Sequence, residues 1–167
     1  MSKLETPMTR QYWRSVGGTL VEEFPLVRGS KTAGPRYVDA LILPNQALRI
    51  ARPSEVNLEG EDVIVVQTKA SRLGMYLMGQ AVFSAELVLR FNPKSVRSVA
   101  LCSADDSELH PLLAHYSNIE VVVLPPAEVA VAQEDAIDAP ELRGDVPSGD
   151  RSPPSSPPSL AQSSGPA

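Results

Sequence analysis

The apolar run "VIVVQTKA", Val63 to Ala70, ends in an amide and an ammonium, Gln67 and Lys69. In an extended chain side chains alternate, so Gln67 and Lys69 share one face, ~7 Å apart along the backbone. A second apolar run, "RYVDALIL", is interrupted by Asp39. A carboxylate inside such a run is costly unless it is paired or bound to a cation. In the run before that, "TLVEEFPLV", Glu22 and Glu23 are consecutive, so one of the two points to the face of the other polar groups. If the three runs are neighbouring strands, Asp39, Gln67, Lys69 and one of Glu22 or Glu23 gather on one face. Hard oxygen donors of this kind suit Mg²⁺ or Mn²⁺, which retain several waters. Such an ion activates a bound water and neutralises charge on a phosphate. A lysine beside it orients the water or stabilises the transition state. Phosphodiester hydrolysis is the chemistry that this set of residues can serve.

The elements that must position these groups are legible from hydrophobic periodicity. A short helix is predicted over "PMTRQYWRSV", with Thr6 as cap, Pro7 in the first turn and Gly17-Gly18 as the stop. Strands follow at "TLVEEFPLV", "RYVDALILP" and "DVIVVQTK", the third dense enough in Val and Ile to be buried on both faces. A helix of about 20 residues, "RLGMYLMGQAVFSAELVLRF", ends at Asn92-Pro93, with Tyr76 among its core-facing positions. "SVRSVALCS" is a strand, "SELHPLLAHY" a helix capped by Ser107, and "IEVVVLP" a last strand. The order is αβββαβαβ. Strands in series point to antiparallel pairing, and strand–helix–strand steps to right-handed parallel crossovers. The expected fold is α/β, a mixed sheet with helices on both faces.

This order, with Asp39 on the second strand and Gln67-Thr68-Lys69 closing the third, resembles the PD-(D/E)xK nuclease superfamily, the restriction-endonuclease-like fold. The resemblance covers residues 7–125. It implies a metal-dependent nuclease acting on DNA, with Asp39, Gln67 and Lys69 as catalytic residues. Asp39, Gln67 and Glu22 or Glu23 would hold Mg²⁺ or Mn²⁺. Two departures matter. Gln67 stands where the family has Glu or Asp, and "PMTRQYWRSV" has no counterpart of the glutamate often found in the family's first helix. Glu22 or Glu23 is the expected substitute for both. Arg72, just beyond the lysine, and Arg36 are placed to meet phosphates, Arg36 within a basic rim with Arg28, Lys31, Arg49 and Arg52. The glutamine-plus-tyrosine pair of some branches is not matched, because the fourth residue after Gln80 is Ser84. Many members of the family act as homodimers or within larger complexes, and neither is readable in this sequence.

Composition sets the frame. The chain has 167 residues, 43% of them hydrophobic, enough for a core; aromatics are 5%, so aliphatic residues fill it. The single cysteine, Cys102, excludes an internal disulfide, and it reads as a small buried hydrophobe. Residues 1–125 carry 13 basic and 13 acidic residues, while 126–167 carry 2 and 7, so the net charge of −5 belongs to the second part. Two parts are therefore expected: a nuclease-like domain over 1–125 and a disordered acidic Pro/Ser-rich tail over 126–167. The tail's Pro-Pro pairs suit polyproline II docking of a protein partner, although solubilising segments are commoner. No segment approaches the ~20 apolar residues of a membrane span, and the N-terminus has no apolar leader, so a cytoplasmic location with no membrane partner is expected. Asp105, Asp106 and Glu108 read as acids opening a helix. Two other functional readings stay open: an inactive nuclease-fold protein that binds DNA or a protein partner, and a small α/β domain whose polar strand residues are structural.

Overall fold

The structure, a computed structural model, describes residues 2–125. The tail read as disordered, and the partner docking assigned to it, lie outside the described residues. Helix α1 (Glu5–Val16) is followed by strands β1 (Thr19–Val27), β2 (Arg36–Leu43), β3 (Arg49–Ala51) and β4 (Asp62–Arg72). Helix α2 (Met75–Val88), strand β5 (Ser95–Ala104), helix α3 (His110–Leu113) and strand β6 (Ile119–Val123) complete the order. The six strands form one sheet in the order β3-β1-β2-β4-β5-β6. Pairing is antiparallel for β1–β2 and β2–β4 and parallel for β4–β5 and β5–β6, as strands in series and then crossovers require. The expected mixed α/β sheet with helices on both faces is present. One element was not anticipated: β3, three residues within the connection after β2, pairs in parallel with β1 at the sheet edge. Three residues are too few to leave a periodic signal.

Alternation along the strands separates two cores. Leu20, Ile42, Ile64, Val66, Val99 and Leu101 meet Met8, Tyr12 and Trp13 of α1. Val21, Leu41, Val63 and Val65 face the other way and join Val88 of α2, while Ala100 and Cys102 meet Leu77, Ala81 and Leu113 of α2 and α3. The central strand β4 is thus covered on both sides, as its Val/Ile density predicts. Gly18 follows α1 at φ +80°, and a Cβ there would stand 2.3 Å from the Leu43 carbonyl oxygen, so only glycine lets the chain pass this close to β2.

Three boundaries differ from the sequence reading. First, α1 starts at Glu5, two residues before Pro7. Ser2 N–H donates to Glu5 Oε2 (2.9 Å) and Glu5 N–H to Ser2 Oγ (3.3 Å), the reciprocal pattern of a capping box. Pro7 is tolerated because first-turn N–H groups have no intrahelical acceptor. Second, β4 runs to Arg72, which still pairs with Ala104 beyond a bulge. Helix α2 therefore starts only at Met75, and the turn Leu89–Phe91 is 3₁₀. Its buried positions are Leu77, Ala81, Ser84, Ala85 and Val88. Tyr76, expected in the core, is 72% exposed. Third, α3 is one turn long, and it is Asp106, not Ser107, whose side chain organises the turn ahead of it, accepting from Glu108 and Leu109 N–H.

Candidate functional site

The β2–β4 ladder ends at the pair Ala40–Val66. One step beyond, the Asp39 carboxylate replaces a backbone acceptor: its Oδ2 accepts from Thr68 N–H at 2.8 Å. The break has a partner in β1. Glu22 pairs with Ala40 and Phe24 with Val38, while Glu23 between them has φ +51°. Across this point alternation fails. Val38 packs into the core on the α2 side and Ala40 into the one beneath α1, although they are two residues apart. The irregularity brings Glu23 and Asp39 to the same place, where with Tyr37 and Val38 they line a cleft of about 250 Å³. Burial pushes the Asp39 carboxyl above its ordinary range. The Thr68 N–H and the Lys69 charge work against that shift, and the charge of Glu5 adds to it.

Lys69 and Glu5 form the second half of the group. Lys69 Nζ donates to Glu5 Oε1 at 2.8 Å. The bond to Glu5 raises the Lys69 pKa, burial opposes it, and the charges of Glu5 and Asp39 reinforce it. Burial pushes Glu5 up, but Lys69 and Ser2 outweigh it and leave this carboxyl below its ordinary range. Glu5 is fixed from behind. Thr9 Oγ1 donates to the Glu5 carbonyl (3.0 Å), so in the 2.7 Å pair between Thr9 and Thr68 the Thr68 hydroxyl is the donor. Helix α1 is thereby locked to β4 at the residue between Gln67 and Lys69.

Lys69 and Glu5 form a direct ion pair, and Asp39 stands within electrostatic range of both, its carboxylate bonded to Thr68 N–H and not to the ammonium. Glu5 was missed because the helix was started at Thr6-Pro7; Ser2-Lys3-Leu4-Glu5 is itself a capping-box sequence and is the signal that finds it. The helix does carry an acid, contrary to the expectation that Glu22 or Glu23 must substitute for it.

The remaining residues are arranged differently. Gln67 is 1% exposed and donates through Nε2 to Ser84 Oγ of α2 at 2.7 Å. It follows Val63 and Val65 toward α2, whereas the four-carbon stem of Lys69 carries its ammonium to Glu5 of α1. The structure does not bring Gln67 to the carboxylates. Glu22 is held by Arg10 of α1 in a two-pronged ion pair, Nε–Oε1 2.8 Å and Nη2–Oε2 3.0 Å. Glu23 is the acid that reaches the Asp39 cleft. Arg72 donates to the Asp105 carbonyl oxygen across the end of the sheet. Arg36 is exposed, donates to the Pro35 carbonyl and lines a larger groove on the α2 side. Arg28 and Lys31 are exposed on the loop before β2. Arg49 lies 3.7 Å from Glu55.

Among the described residues, no three His, Cys, Asp or Glu side chains stand close enough together to form a ready-made cation site. A divalent ion held by Asp39 and Glu23, with water filling its other positions, is consistent with the chemistry of the cleft. Burial and a neighbouring carboxylate raise the pKa of Asp39, and a hard cation relieves both effects. Compared with known proteins, the chain matches no family model, no curated protein and no solved structure.

Proposed function

We propose that the chain is a metal-dependent, nuclease-like protein that hydrolyses DNA phosphodiester bonds on a restriction-endonuclease-like frame. The reading is supported by the core β1-β2-β4-β5, an antiparallel meander followed by a parallel crossover through α2. One observation carries it. Asp39 of β2 accepts from Thr68 N–H where the β2–β4 ladder ends, and the next residue of β4, Lys69, is paired with Glu5 of α1 (Nζ–Oε1 2.8 Å) within electrostatic range of the Asp39 carboxylate. Two acids and an ammonium at a strand opening form the group this hydrolysis needs. A bound Mg²⁺ or Mn²⁺ supplies Lewis acidity and lowers the pKa of a bound water. Asp39 and Glu23 would hold the ion. Lys69, fixed in place by Glu5, aligns the attacking water and stabilises charge on the phosphoryl oxygens. Water oxygen bonds to phosphorus as it gives up a proton to solvent, the bond to the departing sugar oxygen breaks, and that oxygen takes a proton from solvent to leave as the alcohol.

The test is cleavage of plasmid and single-stranded DNA with Mg²⁺ against Mn²⁺. Asp39→Asn and Lys69→Met are expected to lower the rate roughly a hundredfold or more. Glu5→Gln is expected to lower it less and to change its pH dependence, since it removes the chief group that raises the Lys69 pKa. Cleavage that survives in Asp39→Asn overturns the reading. DNA binding with no cleavage under any divalent ion selects a binding module on the same frame, which the structural use of Gln67 and the Glu5–Lys69 pair would then explain.

A further inference from the structure

Helix α2 is apolar around its whole circumference, with Glu86 its only charged residue. A helix of this kind is normally buried on every side. Its own chain covers one side, where Leu77, Ala81, Ala85 and Val88 pack on the sheet. The opposite side is bare: Met75 is 78% exposed, Tyr76 72% and Phe83 69%. Tyr37 of β2, 58% exposed, continues this surface, and together the four line a groove of about 470 Å³ that the hydrolytic group does not use. Among the described residues, Arg36 is the only charged one in the lining. At these exposures the three aromatic side chains present roughly 400 Å² to solvent, about half of the ~800 Å² that each partner gives to a stable interface. Met75 and Leu87 add to that area. Tyr, Phe, Met and Arg are also the types enriched in interface cores, where Lys and Glu are depleted. Gly79 stands in the middle of the bare side, three residues after Tyr76 and four before Phe83. Glycine weakens a helix interior, and a Cβ here would meet nothing within 4 Å. No contact within the chain requires glycine at this point, whereas close approach of a second backbone does.

We infer that this face pairs with the same face of a second copy of the chain, α2 crossing α2 antiparallel about a two-fold axis near Gly79. A two-fold contact needs a surface complementary to itself, and the stripe meets that condition. With the axis between Gly79 and Gln80, position 76 of one helix faces position 83 of the other, so Tyr76 meets Phe83 twice and Gly79 lies at the crossing. Aromatic rings favour one another edge to face or offset. Residues 75–85 carry no charge, so a helix that meets its own copy brings no like charges together. A partner of different chemistry would not need a stripe that is symmetric about its middle. The pairing uses neither metal nor DNA and does not rest on the hydrolytic reading.

The test is sedimentation velocity of the full chain in EDTA, over about a hundredfold range of concentration. The mass is expected to rise with concentration toward twice the 17.9 kDa of one chain. Phe83→Asp and Gly79→Leu are each expected to weaken the association about tenfold or more. Gly79→Leu should do so with a Tm no lower than that of the unaltered chain where both are single, because leucine favours the helix and meets nothing in its own chain. A short bifunctional maleimide is expected to link two copies of Gly79→Cys and not two copies of Leu112→Cys, whose site on α3 is also exposed. A single-chain mass at every concentration, a dimer indifferent to both substitutions, or linkage at position 112 and not at 79 overturns the inference. The second outcome would move the pairing to another surface, such as the edge strand β6. A single-chain mass together with faster proteolysis of residues 126–167 in Phe83→Asp would assign the face to that segment.

Discussion

Burial and the charge of Glu5 hold Asp39 above the ordinary carboxylate range, so ionising it opposes folding. A group whose folded pKa is raised contributes stability below its unfolded pKa and loses it as pH rises through the folded value. Asp39→Asn keeps an oxygen for Thr68 N–H and removes the charge. Thermal unfolding should therefore give this variant a higher Tm than the parent at neutral pH, with the gap closing once pH falls below the ordinary carboxylate range. Added Mg²⁺ or Mn²⁺ should raise the Tm of the parent and not of the variant. Glu23 makes the complementary case. Its φ of +51° is a left-handed conformation that a side chain disfavours. Glu23→Gly is expected to stabilise the fold by roughly 1 kcal/mol in denaturant unfolding while weakening divalent-ion binding by calorimetry. A gain in stability with unchanged ion binding would remove Glu23 from the site.

At the level of elements, β4 is the strand on which both helices depend. Thr68 ties it to α1 through Thr9, and Gln67 ties it to α2 through Ser84. An acid at position 67 would match the family pattern, yet the position is sealed. Gln67→Glu is expected to destabilise the protein by roughly 3 kcal/mol at neutral pH, because a carboxylate buried against Ser84 lacks a counter-charge. Its pKa would be raised, so the deficit should shrink toward acid pH. The same substitution should leave cleavage no faster. Urea unfolding across pH, beside a cleavage assay, checks both outcomes; a faster, equally stable variant would mean that Gln67 does face the hydrolytic group.

Over the whole molecule, charge divides at residue 125: residues 1–125 are formally neutral, whereas 126–167 carry the −5. Among the described residues the hydrophobic clusters run from Met8 to Leu124. A chain ending at Pro125 is expected to unfold cooperatively at a Tm within about 3 °C of the full chain, since the buried clusters are intact. It should also bind single-stranded DNA more tightly, with the difference largest at low salt, because the acidic segment no longer repels phosphate. Loss of cooperative unfolding would show that the segment completes the core; an affinity difference independent of salt would show that it acts by contact and not by charge.

The sequence by itself determined the alternation of strands and helices, the double burial of β4, and the placing of Asp39 and Lys69 on neighbouring strands. These follow from periodicity, Val/Ile density and strand order, all of which are local or nearest-neighbour properties. Glu5 was also legible, in Ser2-Lys3-Leu4-Glu5, but the proline two residues later drew the helix start past it. Other features were fixed only in three dimensions. Gln67 turned to Ser84, Glu22 to Arg10, and Tyr76 outward, while Glu23 entered the Asp39 cleft through a left-handed residue. Alternation assigns side chains to faces only while the ladder is regular, and the site lies where it breaks. Which polar group meets which was decided by the helices that pack over that break.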